Sequence, residues 1–438
     1  MFELMRIFST RKLRFTLGFG ALLLISTATS TLFSHSNSEP GISEHENKNH
    51  LLTKSQISQA QIWQNPVILP QISDLNIISP NISTSTISQG GIPVSYAVVD
   101  EWQRFKFSIQ GSQVFSPGKL PTSNINFQQR DLLTVLVNTR NYFEDNADKD
   151  PNIFRRGLLA TQGVTIQDIV ITLDFMITVL REDVANNRIT RLKNPDFINE
   201  NFRVIKWTPH NPSDRGQKQV RITKYAVFEH TGSRTKTSTY NIPIYSLKDD
   251  QIADKFYTRY TKQDVLSGIY EPGGKEYGRV QPLAYLTRNG LEEALMQGTI
   301  LINFTDGTQG FFNVDRNNGI SYVRGLAATA QQRYWYFREV DGIKGYGHNI
   351  NAKISIKPGV TFAGDVLNMG LGRIVVIEDT RGGRQHLQMG VIADTGGAFL
   401  PNLYQLDFLA GTFKNRQQFT QHIRQLPEYA TAYFLVKK

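Results

Sequence analysis

Three aspartates near the C-terminus sit where an ordinary strand would carry apolar residues. Asp365 lies in Phe-Ala-Gly-Asp-Val-Leu-Asn-Met-Gly-Leu-Gly-Arg, ahead of the apolar run Ile374-Val375-Val376-Ile377. Asp394 closes Val-Ile-Ala-Asp-Thr-Gly-Gly-Ala, and Asp407 interrupts Leu-Tyr-Gln-Leu-Asp-Phe-Leu-Ala-Gly. A carboxylate enters a buried strand only when it is paired, hydrogen-bonded or used. Three of them in one β-rich stretch therefore point to a polar site.

Several chemistries are weighed against these residues. Asp394-Thr395-Gly396 has the local form of an aspartic-protease loop, but that mechanism needs two facing loops that share a proton. No second Asp-Thr-Gly or Asp-Ser-Gly occurs. His230, His348, His386 and His422 have no i, i+4 spacing, and no His-Glu-x-x-His is present, so no metal site is expected. A serine hydrolase lacks its Gly-x-Ser-x-Gly elbow. What remains is glycoside chemistry: Asp394 and Asp407 as an acid and nucleophile or base pair, or one carboxylate alone if the sugar supplies its own nucleophile. The structural alternative is that the acids only cap turns through backbone N–H groups.

The elements that must position these acids are mostly strands. The run Val220-Arg221-Ile222-Thr223-Lys224-Tyr225-Ala226-Val227 alternates as a strand does, Asp306-Gly307 marks a hairpin and Asn318-Gly319 a turn. Leu132, Leu133, Leu136 and Val137 predict a helix beginning near Phe127. Thr165 with Asp168, and Thr261 with Asp264, predict capped helix starts, and a further helix is expected over residues 290–296. Residues 36–125, rich in Ser, Asn and Gln, are expected to be a linker, with a short strand near Tyr96 as an exception.

Composition sets the outer limits. The chain of 438 residues, 40% hydrophobic and 20% charged, is ordinary for a folded protein of two domains. Residues 1–14 carry Arg6, Arg11, Lys12 and Arg14, and residues 15–34 are uncharged around Leu22-Leu23-Leu24-Ile25, the pattern of an export signal or an uncleaved N-terminal anchor. The absence of cysteine excludes disulfides, a thiolate nucleophile and a lipid-modified N-terminal cysteine. A net charge of +10 favours anionic surroundings, such as a wall polymer or lipid headgroups. A Lys/Arg stripe with interleaved aromatics is missing, so no nucleic-acid partner is expected.

Taken together, the motifs resemble the membrane-bound lytic transglycosylase A family with its C-terminal three-aspartate domain. The resemblance rests on the order and setting of Asp365, Asp394 and Asp407. It extends upstream to Thr261-Lys262-Gln263-Asp264-Val265-Leu266-Ser267-Gly268, Leu283-Ala284-Tyr285, Met296-Gln297-Gly298-Thr299, Asp306-Gly307 and Asn318-Gly319 with Tyr322. It covers residues 215–435, about half the chain.

What it implies is a mainly β fold with a helical N-terminal part: a double-psi β-barrel, a second β-domain inserted into it over residues 223–345, and a glycan groove between them. The barrel would comprise residues 126–222 in part and 346–438. Asp407 would be the catalytic acid/base of a peptidoglycan lytic transglycosylase. Asp394 would tune it, because two close carboxylates resist simultaneous ionisation. Thr223, Tyr225, Gln297, Gly298, Thr299, Asp365 and Gly396 would contact substrate, Gly396 with Gly397 through backbone amides. No metal or cofactor is implied, the partner is the peptidoglycan strand, and the protein would be a monomer of the periplasm or cell envelope. Lys224 and Ile300 depart from the family pattern at groove positions; they motivate the alternative of a non-catalytic glycan-binding or wall-tethering protein. The loop containing Leu400-Pro401-Asn402 also differs. An ordinary hydrolase using Asp394 and Asp407 as a pair is the third reading.

Overall fold

The computed structural model describes residues 91–323, 325–396 and 401–438. All of them belong to the unit Ile82–Lys438. The expected export segment and most of the expected linker lie outside the described residues.

The described chain opens with β1 (Ser95–Val99), β2 (Phe105–Gln110), β3 (Phe115–Pro117) and β4 (Ile125–Asn126). The end of the expected linker is therefore folded. Val98, Ile109, Phe115 and Ile125 from these strands enter the main core, joined by Val114 of the short helix Gly111–Val114 and by Leu120 of the loop between β3 and β4. The helices Gln129–Asn146 and Ile166–Ala185 follow, the second opened by the predicted capping box: Asp168 N donates to Thr165 Oγ1 (3.1 Å) and Thr165 N to Asp168 Oδ2 (2.8 Å). Leu132, Leu136, Leu173, Met176 and Leu180 from these helices are buried in the same core, so the helical segment covers the barrel described next.

The central strands are β5 (Phe202–Trp207), β6 (Val220–Gly232), β14 (Thr361–Ala363), β15 (Ile374–Arg381), β16 (Arg384–Asp394), β17 (Gln405–Phe413) and β18 (Tyr429–Lys437). Six of them close a ring in the order β6, β17, β14, β16, β15, β18 and back to β6, with β14 parallel to β16 and β6 parallel to β17. Val375, Val376, Met389, Val391, Leu406, Phe434 and Leu435 fill the core around it. Gly382 (φ 56°) and Gly383 (φ 74°) let β15 turn directly into β16, because a two-residue turn of this kind needs positive φ at both positions.

Between β6 and β14 the chain builds a second core. Its strands are β7 (Ile242–Leu247), β8 (Val280–Leu286), β9 (Thr299–Phe304), β10 (Gln309–Asn317) and β11 (Trp335–Val340), and Ile244, Phe256, Ile302, Phe312, Tyr334, Tyr336 and Phe337 are buried among them. The helix Lys262–Leu266 starts at the predicted Thr261–Asp264 box, and the helix Arg288–Ala294 stands two residues ahead of its expected position. A hairpin of β12 (Lys344–Asn349) and β13 (Ala352–Ser355) then returns to the first core through Ile354 and Ile356.

β6 serves both lobes. Its first half pairs with β17, and Glu229 to Gly232 pair in parallel with β9. Thr223 and Tyr225, expected at the start of the inserted domain, lie on the half of this strand that belongs to the ring.

Candidate active site

Ala363, at the end of the short strand β14, is the hinge of the site's geometry. On one side it pairs opposite Asp394 of β16, on the other opposite Asp407 of β17. Two strand spacings separate the backbones of the two acids by about 10 Å. Next to β17, Asp407 pairs with Thr223 and Leu409 with Tyr225 of β6. Alternation of side chains therefore places Asp407, Thr223 and Tyr225 on one face, and Phe408, Ile222 and Lys224 on the other.

The three carboxyl groups have different surroundings. Asp365 is 1% exposed, and its oxygens accept from Asn368 N (3.1 Å), Asn368 Nδ2 (2.8 Å) and Asn402 N (2.8 Å). It has no surface for a ligand and shapes the turn after β14, which corrects the expectation that it contacts substrate. Asp394 is half-buried with both oxygens engaged: the Tyr225 hydroxyl donates to Oδ2 (2.7 Å) and Thr395 N to Oδ1 (2.8 Å). Asp407 is half-buried too, and Gln405 Nε2 donates to its Oδ1 at 3.1 Å. No described residue donates to Asp407 Oδ2.

Burial pushes Asp407 up to about 6, against the opposing effects of the Gln405 hydrogen bond and the Arg221 charge. Burial likewise raises Asp394 to about 6; the Tyr225 and Thr395 hydrogen bonds and the Lys353 charge oppose it, and repulsion from Asp407 is its weakest cause. Desolvation, not mutual repulsion, is thus what keeps these acids protonatable near neutrality.

The second lobe reaches this face through polar contacts. Lys353 of β13 donates to Asn313 Oδ1 and to the Val314 carbonyl (3.3 Å) of β10. Asn313 Nδ2 donates in turn to Thr299 Oγ1 (2.7 Å) and the Gly298 carbonyl (2.9 Å). Gln297 Oε1 accepts from Phe228 N of β6 (3.0 Å), and its Nε2 lies 3.2 Å from the ring of buried His230. Gln297 and Thr299 therefore spend their polar groups in joining elements. Gly298 is exposed, with nothing within 4 Å of the place a side chain would begin. Gly396 is half-buried beside Asp394, whereas Gly397 lies outside the described residues.

Two of the departures from the expected pattern, Lys224 and Ile300, turn away from the site. Lys224 donates to the Pro427 carbonyl on the far face of β6, and Ile300 is 0% exposed in the second core. Among the described residues no group of three or more His, Asp or Glu stands close enough to hold a metal ion.

Among solved structures, the chain is similar to that of MltA from E. coli with bound chitohexaose, at a TM-score of 0.50 and 15% identity, covering 74% of this chain and 95% of that one. The chain has the fold of MltA. A membrane-bound lytic murein transglycosylase from Agrobacterium tumefaciens (TM-score 0.45, 18% identity, 72% and 98% covered) and MltA from Neisseria gonorrhoeae (0.47, 13%, 74% and 97%) are also similar. No family model and no curated protein matches the chain. Within this MltA-like fold, Gln405 and Lys353 are the site residues that motif reading misses. Gln405 had a signal, since it stands two residues before Asp407 on the same strand face. Lys353 had none, because its partners come from distant segments.

Proposed function

We propose that the chain is a peptidoglycan lytic transglycosylase in which Asp407 performs both proton transfers. The observation that carries this reading is the contrast between the acids: half-buried Asp407 keeps one oxygen without a donor among the described residues, whereas Asp394 has both oxygens held. Protonated Asp407 donates to the oxygen linking MurNAc to GlcNAc as the bond to C1 breaks. It then takes the proton of the 6-hydroxyl as O6 bonds to C1, which leaves a 1,6-anhydro end without water. Asp394, held by Tyr225 and Thr395, supplies negative charge against the positive charge developing at C1. Gly298 gives the glycan close approach to the second lobe.

The same reading takes the closed six-stranded ring as a double-psi barrel, the second core as an inserted domain, and the face of Asp407 as one wall of a glycan groove. The protein would work in the cell envelope, exported by residues 1–35. Against the glycan-binding alternative, Lys224 is bonded to the Pro427 carbonyl on the face opposite Asp407, and Ile300 is buried in the second core.

Two pH experiments test the roles. The acid must be protonated to act, so the rate should fall about tenfold per pH unit above about 6, Asp407's own value. A rate flat from pH 6 to 8 would remove Asp407 from the proton step. Tyr225→Phe deletes a hydrogen bond to the ionised form of Asp394, which raises that acid by roughly 1 to 2 units. The variant should then be slowed about tenfold at pH 6 and progressively less as pH rises; a deficit independent of pH would show that Tyr225 acts otherwise.

A further inference from the structure

The hairpin that carries Lys353 also walls a cavity of about 380 Å³, lined from one lobe by Asn146, Lys149, His348 and Asn351 and from the other by Arg316 and Arg338. We propose that this cleft holds a carboxylate-bearing peptide substituent of the glycan, so that the protein prefers peptide-decorated strands to bare ones. The proposal rests on the glycan-cleaving reading above and names the substrate class of that site.

The charges of the cleft support an anionic occupant. Its charged lining sets three cations, Lys149, Arg316 and Arg338, against two acids, and both acids sit on one of them: Arg338 Nε lies 3.1 Å from Asp315 Oδ2, and the same guanidinium holds Asp249. The other two cations are held less tightly, although Lys149 Nζ also donates to the Asp145 carbonyl at 3.2 Å. Arg316 reaches Asp315 only at 4.0 Å and Lys149 reaches its neighbour Asp148 at 3.6 Å, with side chains 44% and 57% exposed. Such surface pairs hold a cation weakly. Lys149 and Arg316 come from opposite lobes, so one carboxylate bound between them would bridge the cleft, the guanidinium offering its two-pronged donor edge.

The uncharged lining suits a peptide. The side-chain amide of Asn351 takes no hydrogen bond from the described residues, leaving a donor and an acceptor for a peptide group. The path to the acids is short as well. Asn351 is two residues from Lys353, about 7 Å along an extended hairpin, and Lys353 is the cation whose charge acts on Asp394. A substituent hanging from a sugar ring near Asp407 would run along this hairpin into the cleft.

Calorimetric titration of the wild type with a soluble disaccharide–tetrapeptide, and with the same disaccharide without its peptide, tests the proposal beside the Lys149→Ala/Arg316→Ala variant. The wild type should bind the peptide-bearing probe about tenfold more tightly. The variant should lose that difference while keeping its affinity for the bare disaccharide. Equal affinities in the wild type, or a difference that survives in the variant, would overturn the cleft. Binding is read here without turnover. A tenfold preference in a protein that releases no anhydro ends would therefore uphold the peptide cleft and reject the catalytic reading.

Discussion

Asp407→Asn should lower release of anhydro ends by about a thousandfold or more, since one carboxyl is asked to give and then take the proton. The fold should survive, because only Gln405 among the described residues hydrogen-bonds this side chain. Stability has a definite sign. Asp407 binds its proton more tightly when folded than when unfolded, so its ionisation costs stability as pH rises from its ordinary value through about 6. The uncharged variant escapes that cost. Its melting temperature at pH 7 to 8 should match or exceed the wild type's, and the gain should vanish below about pH 4. A folded Asp407→Asn protein with wild-type rates would place the acid elsewhere.

The second large effect is expected far from the acids. Lys262, 1% exposed, lies 2.5 Å from Glu292 Oε2 and also donates to the Ala328 carbonyl (2.6 Å). Glu292, itself 6% exposed, takes a second pair from Arg288 at 2.7 Å. Glu292→Leu would strand a buried ammonium among apolar residues of the second core, at a cost of about 3 to 5 kcal/mol. Because Thr299 and Gln297 are held by that lobe, activity should fall with the loss of structure. Lys262→Met/Glu292→Leu removes both charges and should recover most of the loss in urea unfolding. A single variant as stable as the wild type would show that the pair is not buried in solution.

The difference between the acids shows where sequence stops being informative. Their settings look alike, yet the role of each depends on partners far along the chain. Asn402 N caps Asp365 from 37 residues away, and the Tyr225 hydroxyl that occupies Asp394 comes from 169 residues away. Local chemistry was legible: the Thr165 and Thr261 capping boxes form as their spacing predicts, since a box needs only four consecutive residues. The strand containing Thr223 and Tyr225 was legible as well, but not its continuation into a second sheet. Direction was harder still. Lys224 and Ile300 look like intrusions into a groove until strand register sends one to the far face and the other into a core. The apolar residues between 95 and 126 failed as a signal because they are buried in a core whose other members come from far along the chain.

The most direct test of the central claim is to digest purified peptidoglycan in ¹⁸O-labelled water and weigh the released glycan ends. Attack by the sugar's own 6-hydroxyl predicts ends one water lighter than a hydrolysed end, with no ¹⁸O incorporated. Reducing ends carrying ¹⁸O would contradict the account and identify a hydrolase that uses Asp394 and Asp407 as a pair.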